Sequence, residues 1–457
     1  MAHTNGAVVD VTAVIDRSRI STFQIGVFVI CALCLIMDGF DVQGLGYVLP
    51  ALGQEWNVSS AALGGALGTG NLGMLVGSLV FTILGDKIGR RPVLIGGTIV
   101  FGTFTLLTAR ATTVEQLVVL RFLASLGLGS IMPNAVALIG EYSPQRARVT
   151  LMMGVTVGFT AGAAVAGFVA AWLIPAFGWQ AVFYVGGAIP LVIALPMLVL
   201  LPESLQWLVL RGRDRDVVIQ RLRRIDPDVP ASSNTIFIVP EQKHSGVPVV
   251  HLFREERGRV TLTLWVVNFL NIMNLYALSG WLTTIIRAAG YSTRASVLIG
   301  TLLQVGGTLG AFGSAWAIGR RGFVHVLTWS FATACVSIAA IGQVIGYALA
   351  PALLAALVLL AGWCVIGGQP GLNALAATYY PTRVRSTGVG WALGVGRIGG
   401  IVGPVLGGIL LEREWATPAL FIVAAAPAFI SALVMFTLRG TFVPRPAHRA
   451  HQVPPSS

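Results

Sequence analysis

The chain has 457 residues, of which 55% are hydrophobic and 11% charged. A soluble domain carries about 25% charged residues, so this composition excludes a water-soluble enzyme, a disordered chain and a fibrous protein. The formal net charge of +12 raises the question of nucleic-acid binding, and the placement of the basic residues answers it.

Residues 1–21 are polar, and the first apolar stretch runs from about 22 to 50. It is too long for a secretion signal and holds two aspartates, so it reads as a retained transmembrane helix. Cys31 and Cys34 share one face of that helix and read as small apolar residues, with no redox context around them. A span needs about 20 apolar residues, and segments of this kind follow at 60–84, 92–110, 115–139, 149–173 and 179–201. A hydrophilic stretch, 202–258, interrupts the series with clustered prolines and basic residues. Six more apolar segments lie at 259–285, 295–318, 323–345, 351–378, 386–411 and 416–438, before a polar tail at 439–457. The predicted fold is therefore an all-α membrane protein with twelve transmembrane helices. They form two six-helix bundles, 22–201 and 259–438, joined by the linker 202–258.

Placing both termini and the linker on one side collects 24 of the 30 basic residues there and leaves four on the other. That asymmetry is the positive-inside pattern, so 1–21, 202–258 and 439–457 are expected in the cytoplasm. The basic excess orients the chain in a lipid bilayer and calls for no nucleic acid.

Short matches recur between the halves. Ile36-Met37-Asp38 returns as Ile272-Met273-Asn274, and Ile88-Gly89-Arg90-Arg91 as Ile318-Gly319-Arg320-Arg321. Tyr142-Ser143-Pro144-Gln145-Arg146 returns as Tyr379-Tyr380-Pro381-Thr382-Arg383. Near-constant offsets at corresponding loops indicate a parallel duplication.

A charged side chain at the centre of a span costs about 2.5–3.5 kcal/mol on insertion scales, and so marks a cavity and a partner. The candidates are Asp38, Asp41, Arg121, Arg397 and, at the inner end of the fourth span, Glu141. All six histidines fall in loops or tails and both lysines on the basic side. A proton crossing the membrane domain then falls to carboxyls: Asp38 and Asp41, three residues apart on one helix face, and Glu141. Two readings stand for the aspartates, proton coupling or structural pairing with Arg121 or backbone. Asp41 and Arg121 lie at similar depths, which makes Arg121 an internal counter-ion that is also a substrate-binding candidate. Arg397 lies near the middle of the eleventh span, and the second half has no acidic residue before Glu412. Such an arginine calls for an anion, which a carboxylate substrate supplies in a bidentate pair. The alternative is a packing role against carbonyls or against Asp38 or Asp41. Asn274, Gln369 and Asn373 read as polar lining, and Tyr276, Trp281 and Trp391 as rings able to stack an aromatic substrate. No nucleophile elbow, metal-ligand spacing or nucleotide loop occurs, so neither an enzyme nor a metal or cofactor is expected.

Three motifs carry a family resemblance. Gly85-Asp86-Lys87-Ile88-Gly89-Arg90-Arg91 resembles the signature loop of the major facilitator superfamily. Pro202-Glu203-Ser204-Leu205-Gln206-Trp207-Leu208 resembles the motif after helix 6 that the superfamily shares with sugar porters. Asp38-Gly39-Phe40-Asp41, with Tyr380-Pro381-Thr382-Arg383-Val384-Arg385 and the glycine-rich eleventh span, resembles the aromatic acid:proton symporters. The likeness covers essentially the whole chain. It implies the major facilitator fold and alternating access, with import of a benzoate-type acid such as 4-hydroxybenzoate or protocatechuate together with protons. It further implies a monomer in a bacterial inner membrane, driven by the proton gradient without a cofactor. Gly85, Asp86, Arg90, Arg146 and Arg383, together with Glu141, are by resemblance the charge latch of the cytoplasmic side. One departure is plain: Trp316 stands in the second half where Asp86 stands in the first. A sugar or polyol porter, another organic-anion porter and an exporter stay open as alternatives. The run Asn274-Leu275-Tyr276 departs from the Gln-rich pattern of sugar porters, and the Gly-Pro-x-x-Gly-Gly run of drug antiporters sits in span 11, not span 5.

Overall fold

The computed structural model describes residues 8–212, 215–229, 235–239, 249–254, 257–413 and 415–439, and among them twelve helices are long and apolar enough to cross a membrane. A short strand β1 (Val8–Asp10) and helix α1 (Val11–Arg17) lead into α2 (Thr22–Trp56), α3 (Ser60–Ile88) and α4 (Arg90–Thr108). The first half continues with α5 (Val114–Tyr142), α6 (Gln145–Phe177) and α7 (Gln180–Leu200). Between the halves lie α8 (Leu205–Leu210), α9 (Arg215–Ile225) and β2 (Ile236–Ile238). The second half is α10 (Gly258–Ala288), α11 (Thr293–Arg321), α12 (Phe323–Gly346), α13 (Pro351–Tyr379), α14 (Thr382–Glu412) and α15 (Thr417–Phe436).

Helix starts follow local chemistry. Ser21 and Gln24 form a capping box on α2, and the hydroxyls of Ser59, Thr113 and Ser292 accept first-turn N–H groups of α3, α5 and α11. These caps satisfy donors that a helix start leaves orphaned. One boundary departs from expectation: α2 runs through Pro50 to Trp56 and ends at Asn57, whose φ is 51°. Proline removes one N–H from the ladder, and the buried neighbours Leu49 and Leu52 carry the helix past it.

The two halves repeat one packing scheme. Helix α2 packs on α6, α3 on α5 and α4 on α7, as α10 packs on α14, α11 on α13 and α12 on α15. Small residues set these distances. A Cβ on Gly162 would lie 1.9 Å from the Ile36 carbonyl oxygen, and one on Gly399 2.2 Å from that of Phe269.

The halves meet through α3–α14, α6–α11 and α2–α10. Their joins gather toward the far end, opposite the face that carries α1 and the linker helices. There Gln43 Nε2 donates to the Ser279 carbonyl (2.8 Å), and Gln304 Nε2 donates to Gln43 Oε1 (2.9 Å) and to Ser279 Oγ (3.1 Å). Asn71 Nδ2 donates to the Gly400 carbonyl at 2.7 Å. Backbones approach closely in the same region, Gly64 on Pro404 and Gly408 on Ser60. At the near face β1 pairs in parallel with β2, Val8 opposite Ile236, and α1 packs on α8 and α9.

Candidate functional site

Helix α2 brings two carboxyls into the interior, Asp38 and Asp41, 3% and 2% exposed. Gly39 lies against the Phe159 backbone of α6 and Phe40 against Gly186 of α7, which leaves the carboxyls the remaining face. Asp41 is fully engaged. Arg121 of α5 donates from Nη1 to Oδ1 (2.9 Å) and from Nη2 to Oδ2 (2.5 Å), while Thr105 Oγ1 donates to Oδ1 (3.0 Å). Bidentate pairing of this kind is the strong form of a carboxylate–guanidinium contact. The Phe183 ring lies 5.7 Å from the guanidinium carbon. Arg121 is thus the counter-ion of Asp41, and in this state its Nη atoms are held by that carboxylate, away from any substrate.

Asp38 is placed differently. Its Oδ1 is buried and has no hydrogen-bond partner. The charges acting on it are Asp41 and, from the other half, Arg397. Arg397 sits at the midpoint of α14 and is partly exposed. Among the described residues it makes no hydrogen bond and no ion pair, in contrast to Arg121. Its charge acts on Tyr276 of its own half as well as on Asp38 of the other. The glycines on either side of Arg397 seat α14 on α10: Gly396 lies against Asn268 and Ile272, and Gly400 against the Tyr276 ring. Asp38, Tyr276 and Arg397 therefore converge from both halves at mid-depth.

A connected set of amides joins α10 to α13. Asn271 Nδ2 donates to Gln369 Oε1 (2.7 Å), and Gln369 Nε2 donates to Asn268 Oδ1 (3.0 Å) and Asn373 Oδ1 (3.1 Å). Gln369 and Asn373 are partly exposed, and Asn274, the counterpart of Asp38, is buried on α10. Two expected ring contacts lie elsewhere. Trp281 is buried, donates Nε1–H to the Pro404 carbonyl (2.8 Å) and covers Gly407, so it packs α10 on α14. Trp391 stacks on Trp265 with centroids 5.7 Å apart and is half exposed. Six residues from Arg397, it points about 120° around α14 from it.

At the near face the first half holds a closed charge cluster. Arg90 Nε donates to Glu141 Oε1 (2.8 Å), and its Nη2 lies 3.2 Å from Asp86 Oδ1. Glu203 Oε1 accepts the backbone N–H groups of Arg90 (2.8 Å) and Arg91 (3.2 Å), capping α4 with a negative charge. Gly89, at φ 106°, makes that turn, and a Cβ there would lie 2.2 Å from Glu203 Oε2. Gly85 lets α3 close on the Asn134 side chain of α5. Glu141, expected both as a proton-coupling carboxyl and in the latch, lies in this cluster, about 30 Å along α5 from Arg121. One expectation changes here. Arg146 donates to the carbonyls of Asp16 (2.8 Å) and Ser18 (2.6 Å), so it holds the N-terminal segment and not Asp86. The side chain of Arg383 lies outside the described residues. The far-end amides Gln43 and Gln304 and the cap Glu203 are absent from the sequence-based site. The available signals are a glutamine two residues beyond Asp41 and an acid just ahead of a helix.

Comparison with known proteins follows the same lines. The model of the Major Facilitator Superfamily matches residues 31–342 and 315–456. The 4-hydroxybenzoate transporter of Pseudomonas putida is 40% identical over 93% of this chain and 95% of its own length. The gallate transporter of Pseudomonas putida is 36% identical over 94% and 95%. Among solved structures, the nucleoside transporter NupG aligns with a TM-score of 0.69 at 15% identity, covering 92% of this chain and 99% of that one, a likeness of fold alone.

Proposed function

The chain belongs to the Major Facilitator Superfamily, as a multi-pass membrane transporter and not an enzyme, and on that premise we propose that it imports a benzoate-type carboxylate with protons by alternating access. The observation that carries the reading is the Arg397 guanidinium at the midpoint of α14, which has no hydrogen bond or ion pair among the described residues and whose charge acts on Asp38 of the other half. An aromatic acid is ionised at neutral pH, and a guanidinium takes a carboxylate in a bidentate pair. When Asp38 carries a proton, Arg397 is free for the substrate carboxylate. When Asp38 is ionised, it competes for the same cation. That competition couples the two cargoes: loading needs the proton, and loss of the proton on the far side of the cycle drives release.

Tyr276 supplies a face for the substrate ring, and Gln369 and Asn373 supply polar groups for ring hydroxyls. The Asp41–Arg121 pair stays intact and holds α2 against α5. With the basic face in the cytoplasm, both termini are cytoplasmic, and the far-end joins close the outer side of a bacterial inner membrane. The Asp86–Arg90–Glu141 cluster, with Gly85, forms the first-half part of the latch that engages when the cytoplasmic side shuts. No cofactor takes part and the unit is a monomer. Relatives named for 4-hydroxybenzoate and gallate transport support the substrate class.

The test is uptake of labelled 4-hydroxybenzoate into proteoliposomes under an imposed proton gradient. Accumulation that collapses with a protonophore is expected. Uptake indifferent to the gradient contradicts symport, and absence of uptake across a panel of hydroxybenzoates contradicts the substrate class.

A further inference from the structure

The loop between α11 and α12 is the second copy of the signature between α3 and α4, but its charge balance is different. In the first copy Arg90 is neutralised by Asp86 and Glu141, and the Arg91 guanidinium is held by the Leu198 carbonyl. In the second, Arg320 and Arg321 have no acid partner among the described residues, and the sequence holds no Asp or Glu between Glu256 and Glu412. Trp316 occupies the place of Asp86, and the Arg320 guanidinium lies 4.1 Å from its ring centroid. Beside them is a groove of about 340 Å³ lined by Ala317, Arg321, His325, Val326 and Trp329. Arg321 and His325 are exposed at its rim. Trp316 and Trp329 are 63% and 58% exposed, on outer faces shared with the exposed apolar Phe312 and Val336.

Exposed tryptophans beside basic groups at the end of a span mark the headgroup level of a bilayer, and basic pockets between helices on that side take anionic headgroups. We propose that this groove is a binding site for an anionic phospholipid of the cytoplasmic leaflet. The phosphate is held by Arg320, Arg321 and His325, and the acyl chains run along the apolar faces of α11 and α12 past Trp316 and Trp329. The apolar flank selects a lipid over a free phosphate. The site follows from the difference between the copies: with Trp316 at the place of Asp86, the cations that close a charge cluster within the first half are left to meet the membrane in the second.

The test is native mass spectrometry of the purified full-length protein supplied with phosphatidylglycerol or phosphatidylcholine. Wild type is expected to retain phosphatidylglycerol selectively. The Arg320→Gln/Arg321→Gln double variant is expected to lose about 30-fold in that retention, at about fivefold per basic residue. Trp316→Asp supplies Arg320 with the i,i+4 partner that Asp86 gives Arg90, and is expected to weaken retention as well without removing any cation. Equal retention of the two lipids, or undiminished retention by both variants, overturns the proposal. Displacement of the lipid by inorganic phosphate, where chloride at the same ionic strength has no effect, overturns the lipid in favour of a phosphate site.

Discussion

The two halves share one packing scheme and differ in how their cations are answered. In the first half three arginines have partners: Arg121 has Asp41, Arg90 has Asp86 and Glu141, and the Arg91 guanidinium has a carbonyl. In the second half Arg397 has no hydrogen bond or ion pair among the described residues, its charge acting on Asp38, and Arg320 rests on a tryptophan ring. A buried cation with its own carboxylate is part of the scaffold, because breaking such a pair leaves an uncompensated charge. A cation without one is available to an anion that arrives from outside. Two copies of one packing scheme, of which the first carries acids against its arginines, thus differ in whether their cations are answered within the described chain.

The sharpest way to break this comparison is to remove the two intramembrane arginines in turn. Arg397→Ala is expected to lower 4-hydroxybenzoate uptake by about 100-fold, the loss of a charge-assisted bidentate contact, and to leave thermal stability unchanged. Asp41→Asn attacks the other half. It is expected to cost about 3–5 kcal/mol of stability by stranding Arg121, read as a lower unfolding midpoint. Adding Arg121→Gln should recover most of that loss. Equal effects of both single variants on stability would erase the distinction between the halves.

Smaller effects sharpen it. Gln43→Leu removes the hydrogen bonds that tie α2 to Ser279 and Gln304. At about 1 kcal/mol for each of these two net hydrogen bonds, it should raise the population with separated far ends about 30-fold, read as spin-label distances between α3 and α14. Trp391→Ala should leave uptake within about twofold of wild type, since that ring stacks on Trp265 and points away from Arg397.

The fold was legible because a bilayer forces hydrophobic length and basic asymmetry onto the sequence, and the twelve segments and the duplication both follow from that. The Asp41–Arg121 pair was legible too, since two opposite charges at similar depth in apolar spans have few other partners. Rotation about each helix axis was not legible. Trp281 and Trp391 share helices with true neighbours of the site, but hydrophobic patterning is nearly uniform around a membrane helix and does not say which ring faces inward. Glu141 had two readings, proton coupling and the latch; an acid at a span's end belongs to the charge balance of the loop, here through Arg90, and depth along α5 separates it from Asp38. The far-end amides were hidden because glutamine in a span carries no charge to draw attention, although Gln43 and Gln304 join the halves directly.

The most direct test of the central claim compares an acid with its neutral isostere. Binding of 4-hydroxybenzoate and 4-hydroxybenzamide is measured by calorimetry on the wild type and on Arg397→Ala. The account predicts that wild type binds the acid and discriminates against the amide, and that Arg397→Ala loses that discrimination. Equal binding of the two ligands by wild type, or full affinity for the acid in Arg397→Ala, would contradict it.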